Sequence, residues 1–152
     1  ENDLRLDKYF AETDEKGFRK NKKAGSNNYL CTFRVGEIYL TAAEAAARLG
    51  ELSQARTRLL ELMRKRYAPE AYEAKSVVVN AMDKEALVQE ILDERARELA
   101  FEGHRWFDLR RSTRPRLEKV LDGTRYVLEE NDARYTLAIP KEAIEANPGL
   151  LN

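Results

Sequence analysis

The stretch ERARELAFEGHRWFDLRR, residues 94–111, gathers side chains that could do chemistry: five arginines, three glutamates, one aspartate and the only histidine of the chain. Two carboxylates roughly 5–9 Å apart can hydrolyse a glycosidic bond, one as general acid and the other as nucleophile or base. Glu94 and Glu98 lie one helical turn apart and could have that spacing. However, nearby arginines lower a carboxyl pKa, whereas a general acid needs a raised one. No catalytic residue is therefore predicted.

A structural role fits the same charges better. On a helical wheel Arg95 falls within the apolar stripe, while Glu98 and Glu102 lie at its edge. Glutamates spaced i, i+4, i+8 repel one another unless cations neutralise them. We therefore predict a partly buried ion-pair network in which Arg95 reaches Glu37 or Glu44 on an earlier helix, with Glu44 favoured. Its expected members are Glu37, Glu44, Arg95, Glu98, Glu102, Arg105 and Asp108.

For the aromatic residues and the histidine, ordinary structural roles are more usual than ligand binding. His104 lies next to a helix break, where capping or surface exposure is more usual than ligand binding. Trp106 and Phe107 could stack on sugar rings, but at helical spacing they more often fill a core. Tyr67 and Tyr72 lie in a predicted loop and are weak candidates for a carbohydrate platform, although ordinary loop tyrosines are the favoured interpretation.

Composition excludes several classes of protein. The 152 residues suit one compact domain or a piece of a larger protein, and 43% are hydrophobic. Lys plus Arg equals Asp plus Glu at 27 each, so the positive excess that nucleic-acid binding needs is missing. One cysteine and one histidine cannot build the usual zinc sites, and no metal or cofactor is expected. No apolar run approaches the ~20 residues of a membrane-spanning helix.

The first strong elements follow residue 33. The spacing predicts a helix over 33–50. One face of this helix carries Val35, Ile38, Tyr39, Ala42, Ala45, Ala46 and Leu49. Small residues on both faces suggest a helix packed from two sides. Gly50 is expected to end the helix in the left-handed conformation. A second helix, with an inner stripe from Leu52 to Met63, completes a hairpin whose LGELSQARTRLL spacing is similar to a tetratricopeptide repeat.

The remaining segments are expected to contain fewer regular elements. Residues 1–33 are expected to be an irregular lead-in with a short strand near 29–33, and FRKNKK, residues 18–23, a solvated loop. A long connection over 67–82, with SVVV extended, precedes a helix over 84–102 that Asp83 caps. Gly103 separates it from a short helix. Extended pieces are expected around 126 and 135–139, and one helical turn before Pro148.

Three blocks resemble the C-terminal end of SusD/RagB-like proteins. The family pattern R-x-x-E-x-Y-L-x-x-A-E-A is matched by Arg34, Glu37, Tyr39, Leu40, Ala43, Glu44 and Ala45. Its pattern E-R-x-x-E-L-x-x-E-G-x-R-W-x-D-L-x-R is matched by Glu94, Arg95, Glu98, Leu99, Glu102, Gly103, Arg105, Trp106, Asp108, Leu109 and Arg111. The I-P and N-P-G ending is matched by Ile139, Pro140, Asn147, Pro148 and Gly149, with Ala143-Ile144 shifted by one from the family's E-I.

This resemblance implies a fold and a function. The fold would be mainly α, with tetratricopeptide-like helix pairs and short irregular or β pieces near both ends. Residues 1–33 would be an irregular lead-in and residues 34–152 a helical domain. The chain would be part of a longer protein. The function would be non-catalytic binding of an oligosaccharide or other nutrient and its delivery to a SusC-like TonB-dependent transporter. The protein would be exposed at the outer-membrane surface, attached only through a lipid anchor outside this chain; Cys31 is not the lipidated cysteine.

Two other interpretations stay open at this point. A tetratricopeptide-type adaptor that binds proteins or peptides would use the same helix pairs. A fragment of a glycoside hydrolase is the weaker of the two. The matched blocks look like scaffold, so the resemblance assigns no residue to a ligand site.

Overall fold

The computed structural model describes residues 2–23, 34–147 and 149, and the protein is mainly α, as predicted. The α-helices of this described part are α1 (Arg5–Tyr9), α2 (Val35–Leu49), α3 (Leu52–Met63), α4 (Pro69–Ala81), α5 (Lys84–Glu98), α6 (His104–Arg111) and α7 (Lys141–Ala146). Two antiparallel hairpins pair β1 (Phe10–Thr13) with β2 (Arg19–Asn21) and β3 (Leu117–Leu121) with β4 (Thr124–Leu128). The chain forms two compact units, Glu1–Ala100 and Phe101–Asn152.

The core of the first unit is a helical hairpin, α2 and α3, packed against α5. Gly50 ends α2 with φ of 87°, the left-handed conformation that glycine adopts without steric cost, so this prediction is confirmed. On α3, Ala55, Leu59 and Met63 are fully buried, which confirms the inner stripe expected for that helix. The turn between the helices needs only two residues, so α2 and α3 lie side by side.

Helix α2 buries one face and leaves the other uncovered. Leu40, Ala43 and Ala47 are fully buried against α3 and α5. The face expected to be buried as well carries Val35, Ile38 and Leu49, which are 69%, 65% and 77% exposed. The expectation of a helix packed from two sides therefore fails within the described part of the chain, because α3 and α5 both lie against the Leu40 face.

The predicted loop over residues 67–82 is wrong, because most of it is helix α4. Ala68 is extended and Pro69 occupies the first helical turn, where its missing N–H costs no hydrogen bond. The alanines and glutamates that follow Pro69 have high helix propensity. The three consecutive valines suggested a strand, yet only Val79 is buried while Val77 and Val78 are exposed. A helix suits that pattern, since it turns the three valines in three directions.

Helix α5 begins as predicted and ends earlier than predicted. The Asp83 side chain accepts a hydrogen bond from the Ala86 N–H at 2.9 Å, so the predicted cap is confirmed. The helix ends at Glu98 rather than near residue 102. The ammonium of Lys23 donates to the backbone carbonyls of Glu98 and Ala100, which satisfies acceptors that a continuing helix would use itself. Gly103, with φ of 83°, precedes α6.

The N-terminal segment is ordered rather than irregular. Residues 2–23 contain α1 and the β1–β2 hairpin, so FRKNKK contributes the strand β2 and is not simply a loop. The backbone N–H of Leu4 donates to the Arg66 carbonyl at 2.8 Å, and that of Ala68 donates to the Asn2 carbonyl at 3.0 Å. These bonds join the segment to the link between α3 and α4. The strand expected near residues 29–33 lies outside the described residues.

The second unit combines short elements around one tyrosine. Tyr135 is fully buried and stacks on Trp106, with 5.2 Å between ring centroids and 8° between ring planes. Its hydroxyl donates to the Pro115 carbonyl. Residues Ala133–Tyr135 form a 3₁₀ turn capped by Asp132, so Tyr135 does not belong to the extended piece expected over 135–139, although Thr136 is extended. The extended piece expected near 126 is β4. No helix among the described residues is long and apolar enough to cross a bilayer.

Candidate functional site

The strongest concentration of buried charge in the first unit surrounds Glu98, which is fully buried near the end of α5. Arg66 donates to both of its oxygens, from Nε at 2.8 Å and from Nη2 at 2.9 Å. This two-point geometry matches the planar guanidinium to the planar carboxylate. Arg5 and Arg34 each add a contact of 3.3 Å, so three arginines surround one carboxylate.

Glu94 lies one turn earlier on α5 and is also fully buried. It accepts hydrogen bonds from Arg5 Nη1 at 2.7 Å and from the Tyr67 hydroxyl at 2.9 Å. Arg97 adds a third bond of 2.9 Å from Nε and continues to Glu90. Each oxygen of Glu94 therefore has at least one donor, which is the condition under which a buried carboxylate is tolerated.

Arg5 connects the N-terminal segment to this charge cluster. The Arg5 side chain forms a two-point pair with Asp3, with bonds of 2.8 and 2.7 Å, and donates to the Tyr67 hydroxyl at 2.8 Å. Its remaining bonds go to Glu94 and Glu98 on α5. A side chain from residue 5 is thus buried against residues almost ninety positions away, and the segment is part of the folded unit.

The charges of this cluster balance. The Arg5 cluster, as we call it, comprises the carboxylates of Asp3, Glu90, Glu94 and Glu98 and the guanidinium groups of Arg5, Arg34, Arg66 and Arg97, with the Tyr67 hydroxyl between them. Four negative and four positive groups leave no net charge to be hydrated. Such a cluster is stable only as a set, since removal of one partner leaves another buried and unpaired.

The pKa values of the cluster follow from its geometry. Burial alone would raise the pKa of Glu98, but the hydrogen bonds and charge of Arg66, with the charges of Arg5 and Arg34, lower it below the ordinary value of 4.5. Burial would likewise raise the pKa of Asp3, and the hydrogen bonds from Arg5 outweigh it and lower the pKa. Burial and then the charge of Glu94 raise the pKa of the Tyr67 hydroxyl. These shifts keep the carboxylates of Glu98 and Asp3 ionised and the Tyr67 phenol neutral.

Gly36 leaves room for the cluster. A Cβ atom at this position of α2 would lie 2.7 Å from Glu98 Oε1, closer than such atoms approach in proteins. The terminus of a glutamate can usually move aside, but three arginines hold this one. The glycine in the first turn of α2 is therefore required by the close approach of the carboxylate.

The residues proposed for the network lie in several places. In the first unit Glu98 belongs to the Arg5 cluster, and Arg95, which is buried, lies 3.7 Å from Glu37 and donates to the Thr41 hydroxyl at 3.1 Å. Glu44, the favoured partner, is buried and accepts a bond of 2.9 Å from Arg48. The arginine in the apolar stripe is therefore buried next to α2.

The other proposed residues belong to the second unit. Asp108 is buried and accepts bonds of 3.0 and 2.7 Å from Arg111 on the same helix. Glu102 is half-buried and Arg105 is exposed. Trp106 packs on Tyr135, which fits the core interpretation, whereas Phe107 is 63% exposed.

The two candidate sugar-binding tyrosines lie on the first unit. The Tyr67 ring is almost completely buried, with the Arg5 guanidinium 5.1 Å and the Lys75 ammonium 4.8 Å from its centroid. Cations rather than an open space therefore lie against this ring. Tyr72 lies in the first turns of α4 and is half-buried against the apolar core.

Sequence reasoning missed most of the cations that neutralise Glu94 and Glu98. Arg5 lies in a segment that was expected to be irregular, and its neighbours Leu4 and Leu6 are exposed, so no local apolar pattern marks Arg5 as buried. Arg66 follows the end of α3, a position that gives no hint of a partner on α5. No sequence signal joins positions 5, 66 and 98, because only the packing of the helices brings them together.

The chemistry of the Arg5 cluster is structural. Arginines hold its carboxylates, and the lowered pKa values of Glu98 and Asp3 are the opposite of what a general acid needs. No group of three or more His, Cys, Asp or Glu side chains within residues 2–23, 34–147 and 149 is arranged to hold a metal ion. What the cluster can do is hold α1, the link after α3, and α5 in one register.

The described part of the chain is thus a mainly helical scaffold that contains a buried arginine–carboxylate cluster. A model of the SusD family matches residues 2–152, and the chain belongs to this family. A search of curated proteins finds no match. Family membership supports a nutrient- or glycan-binding role in an uptake system.

Proposed function

We propose that this protein is a non-catalytic component of an outer-membrane uptake system. It would bind a glycan or another nutrient and deliver it to a SusC-like TonB-dependent transporter. The observation that carries the proposal is the match of the SusD family over residues 2–152. The same membership supports a cell-surface location and a lipid anchor, which labelling with a lipid precursor in the native cell would test.

The geometry of α5 supports binding without chemistry. Glu94 and Glu98 are the pair whose spacing could suit glycoside hydrolysis, and both are fully buried among arginines. The lowered pKa of Glu98 is the opposite of what a general acid needs. A buried, neutralised pair also leaves no space between the carboxylates for a sugar ring.

The uncovered face of α2 supports a contact with another protein. Val35, Ile38, Ala42, Ala45 and Leu49 are exposed and spaced by three and four residues, the spacing of a helix–helix seam. Delivery to a transporter requires such a surface. The same seam would serve the alternative function, a tetratricopeptide-type adaptor, so the stripe does not by itself choose between the two.

Calorimetric titration of the full-length chain with a panel of neutral and acidic oligosaccharides separates these functions. Saturable binding of a glycan, without release of reducing sugar, is expected. Reducing sugar released by the parent protein would contradict the non-catalytic role. Absence of binding across the panel, combined with binding to a helical peptide that Ile38→Glu abolishes, would favour the adaptor.

The delivery step has its own test. A purified SusC-type transporter from the same genome should form a complex with the full-length chain, measured by size-exclusion chromatography with light scattering. Ile38→Glu places a charge in the middle of the exposed stripe and should weaken that complex. Thr57→Glu, on the exposed side of α3, is the matched control and should leave it unchanged. No complex under any condition would contradict delivery to this transporter class.

A further inference from the structure

The β3–β4 hairpin of the second unit has one face suited to a small ligand. The register pairs Leu117 with Leu128 and Lys119 with Tyr126. Because side chains alternate along a strand, these four residues point to the same face. A cleft of about 250 Å³ opens there, and Arg134 also lines it. Tyr126 is 56% exposed, so part of its ring is free for contact.

Some of the charged side chains around this cleft have ion-pair partners, and one does not. Glu118, which also lines the cleft, is bound by Arg125 at 2.6 Å and by Arg116 at 3.0 Å. Arg134 forms a two-point pair with Asp132, with bonds of 2.9 and 2.7 Å. Lys119 makes no hydrogen bond or ion pair with any residue that the structure describes. The cleft therefore carries one positive charge that the protein leaves uncompensated.

The size and the chemistry of the cleft select a ligand class. Drug-sized ligands occupy pockets of roughly 300–1,000 Å³, so this cleft suits a single ring rather than a long ligand. Leu117 and Leu128 give an apolar floor, and the face of Tyr126 can cover the C–H groups of a pyranose. An ammonium next to that ring adds a charge-assisted hydrogen bond to an anionic substituent. A sugar that carries a carboxylate satisfies all three features.

We propose that the Tyr126–Lys119 cleft is a subsite for a uronic acid residue of the ligand. The proposal rests on the proposed glycan-binding function and adds a preference for acidic glycans. In it, Tyr126 stacks on the sugar ring and Lys119 binds the carboxylate. Arg134, which is bound to Asp132 and to the Val127 carbonyl, lines the same cleft.

The test titrates the full-length chain with two probes, α-1,4-linked tetragalacturonate and a β-1,4-linked glucuronate tetramer, each against its methyl ester. The ester keeps the ring and removes the charge. We expect at least one free acid to bind about tenfold more tightly than its ester, and the difference to shrink with added salt. Lys119→Met should remove this preference and leave ester binding unchanged. Tyr126→Ala should weaken acid and ester alike.

The controls separate the possible failures. Lys20→Met, which removes an exposed lysine from β2, should change nothing, and circular dichroism should show all variants folded. If glycans bind but the acids have no advantage, or if Lys119→Met and Tyr126→Ala bind like the parent, the subsite is wrong and the proposed function survives. If neither these probes nor any neutral oligosaccharide binds, the subsite is wrong and glycan binding, the part of the proposed function on which it rests, is wrong as well.

Discussion

The carboxylate of Glu98 is removed from solvent and still ionised, because three guanidinium groups replace the water that it loses on folding. Burying a charge costs several kcal/mol unless partners and hydrogen bonds compensate. Arg5 supplies that compensation for two carboxylates at once, Glu94 and Glu98. At the residue scale, removal of the Arg5 side chain should therefore lower the free energy of unfolding most.

Arg5→Met is expected to lower the free energy of unfolding by roughly 3–5 kcal/mol, because it leaves Glu94 with a buried charge that has lost a partner. Urea denaturation measures the change. The control is Arg58→Met, since Arg58 forms an exposed pair with Glu61 at 3.4 Å. Surface pairs of this kind contribute at most about 1 kcal/mol. Equal effects of the two substitutions would show that burial of Arg5 is unimportant.

Gly36→Ala is expected to destabilise the protein by about 1–3 kcal/mol, because the new methyl group collides with Glu98 and overpacks the site. In a Glu98→Ala background the same substitution should instead stabilise, since alanine is a better helix former than glycine by up to about 1 kcal/mol. A double-mutant cycle measured by urea denaturation reports the coupling. Additive effects would rule out the close contact.

Arg95 is an example of a residue whose role could be inferred from the sequence. Its place within an apolar stripe correctly indicated a buried guanidinium, because helical periodicity is a local property. Most partners of Glu94 and Glu98 could not be found in this way. Apart from Arg97, three residues after Glu94, they are Arg5, Arg34, Arg66 and Tyr67, and only tertiary packing brings these side chains together.

At the scale of elements, local signals succeeded where caps and turns decide the structure. Gly50 and Asp83 each mark a helix terminus as expected. The secondary-structure predictions fail where tertiary contacts override the local propensity of the residues. The valines of α4 favour a strand by propensity, yet Val79 packs against the apolar core as part of a helix. The end of α5 depends on Lys23, which lies 75 residues from the Glu98 carbonyl that it binds.

The helical state of residues 69–81 predicts an unequal effect of alanine substitutions. Val79→Ala should lower the free energy of unfolding by about 2 kcal/mol, since two buried methyl groups are lost. Val77→Ala should be neutral or slightly stabilising, because Val77 is 71% exposed and alanine favours a helix. In an extended strand positions 77 and 79 would share a face. Comparable losses from both substitutions would therefore contradict the helix.

At the scale of the whole molecule, the chain carries no net charge and joins two compact units within one SusD-family match. The mainly α class and the family could be predicted, since long periodic helices and three spaced motifs are strong signals. The pairing of Lys119 with Tyr126 was not predicted, although Asp122 and Gly123, with φ of 48° and 75°, form the two-residue turn that sets the register of β3 and β4.

Acid stability depends on the Arg5 cluster through the lowered pKa values of Glu98 and Asp3. A carboxyl whose pKa is lower in the folded state stabilises the protein above its unfolded pKa. That stabilisation is lost as the pH falls through the folded pKa. For Glu98 the loss should begin near its ordinary value of 4.5 and continue below it.

The most direct test of the central claim compares the free energy of unfolding of the parent and of Glu98→Gln between pH 7 and pH 3. The account predicts that the parent is more stable at pH 7, and that this advantage shrinks steadily once the pH falls below about 4.5. A parent that gains stability relative to Glu98→Gln on acidification would mean that Glu98 has a raised pKa. That result would contradict an ionised, arginine-bound carboxylate and would restore the case for a general acid.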